Sequence, residues 1–590
     1  MKKPDAAIHY QIDVHDVHAH VWQVSISIPQ PQALQTFQLP VWIPGSYMVR
    51  EFSKQLSLIT AHQSSRACEV IQTAKATWQV HADESQALTV RYQVHAYDAS
   101  VRTAWLDALR GFFNPTSVCL MACGFEQLTH TVHISQPNDC PDWQLATALK
   151  PVKVNAKGFG LYTAADYDEL ADSPVEMSAF WSGQFTAKGV PHQVVVSGAA
   201  PSFDGARLLK DMQSICETEI SFWHGKAKPV HDRYVFLINA VADGYGGLEH
   251  KHSTALICKR EDLPRMDQPA NSDGYVSLLG LVSHEYFHTW NVKRLRPVGL
   301  TRYNYTQENY TDLLWFFEGF TSYYDDVLLC RAELISPAVY LKLLGKTINN
   351  VWQTPGRKKH SVAQSSFEAW TKLYLQDANS PNLSVSYYAK GSLVGLCLDL
   401  SLRQSGHSLD EVMRGLWKRC KAGPMQESDV LQVLKDITGR SWQRELKAWV
   451  HGTADLPLQE RLSAQGVDIH FENAPLTQQL GLRVQENHAV QVKTVLSGSV
   501  CEEAGFAPGD EWLGVTVSAN TASASAWRIK RIDQLPGLLG KQKSFTALVS
   551  RDGQLLHLPV RMPAKPTQVW RLGIKDPLKV GQWLAGKSAA

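Results

Sequence analysis

His284-Glu285-Tyr286-Phe287-His288 constrains this chain more than any other stretch. It lies inside a mostly apolar, proline-free run from Tyr275 to Asn291, a pattern that predicts a buried helix. On a helix, positions i and i+4 share one face, one turn apart. The spacing predicts that His284 and His288 bind one Zn²⁺ through their imidazoles. Glu285 then projects where it can take a proton from a metal-bound water. The competing reading is a core helix that happens to carry two histidines.

A catalytic zinc usually has three protein ligands and an open position for water. Glu318, in Trp315-Phe316-Phe317-Glu318-Gly319-Phe320, is the expected third ligand, because a carboxylate in so apolar a setting needs a partner and a metal is a natural one. The rivals are His360, read as part of an exposed basic loop, and Asp312, read as a helix cap. Asp325 falls two helical turns after Glu318, where it could accept from the Nδ1–H of a ligand histidine; a plain surface role is the alternative. Tyr387-Tyr388 offers a phenol to hydrogen-bond a developing oxyanion, although such pairs commonly serve packing.

At 590 residues the chain is too long for one core, so three or four domains are expected. Hydrophobic residues make up 44% and charged residues 19%, as in soluble globular proteins. A net charge of +2 gives no footprint for nucleic acid or an anionic membrane. The start, Met1-Lys2-Lys3-Pro4, has no apolar segment behind it and does not read as a signal peptide. No apolar run reaches the roughly 18 residues that a membrane span needs. The ten cysteines sit in apolar surroundings without a CxxC pair, which fits free thiols in the cytoplasm.

Residues 1–180 alternate with period two, as in Val21 to Ile28 and Leu88 to Val94, and predict a β-sandwich-like domain. His18 and His20 are read as sharing a strand face, which would allow a second metal site; ordinary polar positions on a half-exposed sheet are the alternative. Residues 181–458 mix helix and strand and then become largely helical. Within them, Asp243 to His250 carries Gly244, Gly246 and Gly247, marking a strand or loop that another chain can approach closely. Residues 459–565 form a compact β-rich module with a hairpin at Asp552-Gly553, and 566–590 read as a tail. The fold class is multidomain α+β.

Several of these stretches together resemble the glycyl aminopeptidase family of gluzincin metallopeptidases: His284 to Pro297, Leu314 to Tyr324, Pro40-Val-Trp-Ile-Pro-Gly-Ser-Tyr47, Gly246-Gly-Leu-Glu-His250 and Tyr388-Ala-Lys-Gly391. The resemblance implies a thermolysin-like catalytic domain behind the N-terminal β domain. It also implies that Glu249 anchors the substrate's free α-amine beside Gly246 and Gly247, that Tyr388 rather than Tyr387 is the oxyanion donor, and that small N-terminal residues such as Gly or Ala are preferred. His288 and Glu318 have 29 residues between them, more than in thermolysin, so residues 298–311 are expected to fold out of the way. The last module resembles a PDZ domain. Leu480-Gly481-Leu482 is similar to the carboxylate-binding loop and Ile532 to Leu539 to the groove helix, with Pro536 inside it. This implies capture of a peptide C-terminus by strand addition, against the alternative of a closed packing module.

The leading expectation is a cytoplasmic zinc aminopeptidase with one Zn²⁺ per chain, acting on peptides. An endopeptidase on the same site and an inactive PDZ-type peptide-binding protein are the alternatives. Oligomeric state is not legible in the sequence.

Overall fold

The computed structural model describes residues 7–268, 270–518 and 524–586. The chain divides into two compact units, the first comprising Met1–Thr311, Tyr324–Ile335 and Met413–Val430. Its N-terminal part is built from β-strands. In the strand Val21–Ile28, Trp22, Val24, Ile26 and Ile28 are buried and the residues between them are half-buried, as the pleat requires. It pairs with Ile8–Asp16 on one side and Leu88–His95 on the other, inside an eight-stranded sheet. Two four-stranded sheets complete the module, and Trp22, Trp78, Tyr92 and Tyr167 fill its core. The buried phenols of Tyr10 and Tyr92 donate to the carbonyls of Leu120 and Val118 at 2.7 and 2.9 Å, so burial orphans neither hydroxyl.

His18 and His20 do not share a strand face. Both lie in the turn between Asp16 and Val21, and His20 adopts φ 61° with its Nδ1 2.7 Å from the Leu106 carbonyl. No metal-ligating cluster among the described residues includes either one. Residues 298–311 run along the β module rather than standing apart from it. The Trp42 indole donates to the Asn304 carbonyl at 2.8 Å, and the Tyr305 hydroxyl donates to Asp168 at 2.8 Å.

A further, five-stranded sheet begins at Trp181. Its order is Trp181–Ala187, Val190–Ser197, Tyr234–Val241, Ser253–Lys259 and Gly246–Glu249. The middle three strands are parallel and largely apolar, as expected where both faces are covered. The helices Gly205–His224 and Asp273–Phe287 pack together, and the latter lies against the strands Gly246–Glu249 and Ser253–Lys259. Gly246–Glu249 is antiparallel and forms the edge of the sheet.

The second unit comprises Asp312–Tyr323, Ser336–Val412 and Leu431–Ala590. Its helices include Pro337–Trp352 and Tyr387–Arg403, the latter buried along nearly its whole length. The sequence predicts one helix from Asp312 to Tyr324, but there are two, Leu314–Phe317 and Gly319–Arg331, meeting at Glu318. Asp312 caps neither: the residue at the first N-cap is Leu313, with no side-chain bond.

The C-terminal module is a six-stranded sheet over a core of Trp512, Phe545, Leu480 and Leu535. Leu480 closes a short helix, Gly481 takes the left-handed conformation at φ 71°, and Leu482–Glu486 follows as an edge strand. Residues 532–539 form a 3₁₀ turn and a short helix; Pro536 falls in the first turn of that helix, where it costs no hydrogen bond. The described part of the expected tail, residues 566–586, is folded. Gln568–Ile574 pairs with Val467–Asn473, and the helix Pro577–Leu584 buries Trp583 completely. Among the described residues, no helix is long and apolar enough to cross a membrane.

Candidate metal centre

The helix Asp273–Phe287 opens at Ser272, whose hydroxyl accepts from the Tyr275 N–H at 3.0 Å. Tyr275, Leu278, Leu279, Val282, Tyr286 and Phe287 bury it, as an apolar surface demands. His288 stands at its C-terminal end, and its N–H bonds the His284 carbonyl at 3.3 Å, so the one-turn relation of the two histidines holds. Their Nε2 atoms lie 3.1 Å apart, with the rings at 83°. His284 Nδ1 is 3.2 Å from an Asp325 carboxylate oxygen, and His288 Nδ1 is 2.8 Å from the Asn291 carbonyl. Each Nδ1 therefore carries the proton in the neutral ring, and both Nε2 lone pairs converge on one point. Neither can donate to the other, so the pair fits a cation. Two imidazole nitrogens on one tetrahedral zinc stand about 3.3 Å apart.

Asp325 is held behind His284 from several sides. Its Oδ1 accepts the Asp326 N–H at 2.6 Å, and its carbonyl accepts the Ser283 hydroxyl at 3.0 Å. Burial pushes its carboxyl up, against the lowering exerted by His284. Ser283 is also 3.0 Å from Glu219, a wholly buried carboxyl that burial raises well above the usual range. Sequence reasoning missed Glu219. The signal was present: it falls within the apolar stripe Cys216, Ile220 and Trp223 of its helix, where a carboxylate is out of place.

Glu249, on the edge strand, is buried, and each of Glu249, Glu285 and His288 offers one ligand atom within 4.8 Å of the others. Two glycines make the room. A Cβ on Gly247 would meet Glu285 Oε1 at 2.2 Å, and a Cβ on Gly45 would meet both Glu249 carboxylate oxygens at 2.5 Å. Gly45 also has φ 92°, which a side chain would strain. Beside Glu249 runs a buried ion pair that sequence reasoning also missed. Lys293 Nζ is 2.8 Å from Asp172, which in turn contacts His250 Nδ1 at 3.1 Å and accepts the Lys251 N–H at 2.8 Å. Although burial works against it, Lys293 and His250 hold the Asp172 carboxyl well below the usual range.

In the second unit, Glu318 is buried between its two helices. Gly319 and Gly391 let the backbones cross closely: a Cβ on Gly319 would stand 2.6 Å from the Gly391 Cα. That crossing brings the first turn of Tyr387–Arg403 beside Glu318. The Tyr388 phenol is pushed well up by burial and then by the Glu318 charge, so it remains a donor at neutral pH. Tyr387 is buried and stacks on Tyr388 at 4.7 Å. His360 is buried rather than exposed, and its Nε2 is 3.0 Å from Glu368, which gives it a partner other than a metal.

Residues 9–179 match the Peptidase M61 N-terminal domain, and residues 277–394 match the M61 glycyl aminopeptidase family. An aminopeptidase N family protein from Idiomarina loihiensis, known from its crystal structure, is 35% identical over 98% of this chain and 100% of its own, with a TM-score of 0.91. An M1 zinc metallopeptidase from Deinococcus radiodurans is 13% identical over 77% of this chain and 95% of its own, with a TM-score of 0.47. No curated protein sequence matches the chain. The two matched segments and the full-length likeness to the Idiomarina protein place this chain in the M61 glycyl aminopeptidase family, and it is a metallopeptidase.

Proposed function

We propose that the chain is a zinc-dependent aminopeptidase that removes small N-terminal residues, Gly or Ala, from peptides. His284, His288 and Glu318 would hold one Zn²⁺, with Asp325 orienting His284. When bound there, zinc supplies an acidified water and polarises the scissile carbonyl. The remaining steps belong to the chain's own side chains. Glu285 takes the proton from the attacking water and returns it to the leaving amine. Tyr388 donates to the oxygen that gains charge. Glu249 pairs with the substrate's terminal ammonium and fixes the cleaved bond one residue in.

The edge strand supports this orientation. The His250 N–H bonds the Ser253 carbonyl at 2.9 Å, which sets the alternation of the ladder. Counting back from that bond, Glu249 and Gly247 occupy non-hydrogen-bonded pairs with Thr254 and Leu256, so their N–H and C=O groups face the open edge. A peptide main chain can add there, antiparallel, with its amino end at Glu249.

The observation that carries the reading is that Glu249 lies with Glu285 and His288, one ligand atom of each within 4.8 Å of the others: a second buried carboxylate next to the proposed base and a proposed metal ligand. An endopeptidase would have no use for a buried carboxylate at that point. The test compares Gly- and Ala-starting peptides with free and acetylated amino ends, using zinc-loaded enzyme and a chelated control. Only the free peptides should be cut, and equal cleavage of the acetylated ones would overturn the proposal.

A further inference from the structure

Beyond the residues proposed to bind and cut the first peptide bond, a cation stands at the edge strand with no acid among the described residues to balance it. Arg102 comes from the β module and donates through Nη2 to the Gly247 carbonyl at 3.1 Å. Its Nη1 is the nearest atom to where a Gly246 side chain would begin, 3.9 Å away. Its Nε is buried and finds no acceptor among the described residues, and no ion pair there includes Arg102. A half-buried guanidinium without a carboxylate is a costly arrangement unless an anion visits it.

The Gly247 carbonyl points to the open edge, so Arg102 stands where an added strand would run. A strand advances about 3.4 Å per residue. From Glu249 back to Gly247 is therefore about 7 Å, which is also about the reach of an extended dipeptide from its ammonium to its carboxylate. With the ammonium on Glu249 and the chain antiparallel, the carboxylate of a dipeptide arrives opposite Gly247 and Gly246. We infer that Arg102 is a specificity-determining residue that pairs with the C-terminal carboxylate of dipeptide substrates, so that the two ends of the substrate are read by opposite charges, Glu249 and Arg102. A longer chain would have to pass Arg102 without gaining that pair. The inference rests on the aminopeptidase reading, because the measure starts from an amine at Glu249.

The experiment uses full-length, zinc-loaded enzyme with three substrates: Ala-Ala, its C-terminal amide, and an uncharged alanyl arylamide. Wild type should favour the acid over the amide by about fivefold or more in kcat/KM, mostly through KM, as a half-desolvated ion pair allows. Arg102→Gln should bring the ratio to about one while arylamide turnover stays within about twofold, and Arg102→Lys should restore part of it. A wild-type ratio near one, or a ratio that survives Arg102→Gln, would overturn the inference. If the arylamide is not cut at all, the aminopeptidase reading itself fails. If Arg102→Gln also loses arylamide turnover, binding of Ala-Ala and its amide to the zinc-loaded Glu285→Gln enzyme decides. Tighter binding of the acid supports the pair, and equal dissociation constants reject it.

Discussion

A Cβ on Gly45 would stand 2.5 Å from both carboxylate oxygens of Glu249, so these two residues fix each other across 204 positions of sequence. Gly45→Ala should push Glu249 off its seat and add strain at φ 92°. The expected result is a rise in KM for free peptides of about tenfold, with zinc content unchanged. Steady-state kinetics beside metal analysis checks it, and an unchanged KM would separate Glu249 from amine recognition.

Glu285→Gln keeps the shape of the side chain and removes the proposed base. Turnover should fall by about 10²- to 10⁴-fold while zinc binds normally. Retained turnover would mean that another group moves the proton.

Asp325 lies 3.2 Å from His284 Nδ1, and on the proposed reading it orients that ligand, so Asp325→Ala should weaken zinc binding by about 10- to 100-fold. Glu318→Ala should cost more, because on the proposed reading it removes a ligand. Competition with a chelator of known affinity measures both, and full zinc occupancy in Glu318→Ala would move the third ligand elsewhere.

His192 is buried, its Nε2 2.9 Å from the Tyr286 hydroxyl, and burial lowers its pKa to about 4. An unfolded histidine takes up its proton near about 6.5. Because the folded value is the lower one, the stability His192 contributes is present above that pH and lost as pH falls towards 4, at roughly 1.4 kcal/mol per pH unit. Denaturant midpoints should drop between pH 7 and pH 5, and His192→Gln should show a shallower drop. Equal slopes would reject the assignment.

Trp583 is wholly buried, and its indole donates to the Tyr323 hydroxyl at 3.2 Å. Trp583→Ala should destabilise the protein by about 3–5 kcal/mol. A small change in thermal midpoint would mean that the C-terminal helix is an appendage after all.

Much of this was legible in short-range pattern. Period-two alternation marked the β module, and the i,i+4 histidines with an acidic residue among aromatics are the pattern on which the proposed centre rests. What escaped depends on distance along the chain. Nothing in the sequence joins Asp172 to Lys293, or buries His360 against Glu368, because burial of a titratable residue is decided by partners that the local sequence does not name. The tail was misread for a related reason. Its prolines and lysines suggest solvent, yet Val569, Trp570 and Trp583 find cover against distant elements. Glu219 was legible in principle, as the polar exception in an apolar stripe.

The pairing of Val467–Asn473 with Gln568–Ile574 has an architectural consequence. Asn473 faces Gln568, and the Ala474 N–H bonds the Thr567 carbonyl at 2.8 Å, so the chain leaves for the six-stranded module and returns at a single doorway. The module is thus a cassette inserted between two strands that already hold each other. A short turn joining Asn473 to Gln568 would excise it while leaving the last strand and the helix Pro577–Leu584 in place, which makes the module exchangeable without cutting into the helices of the second unit.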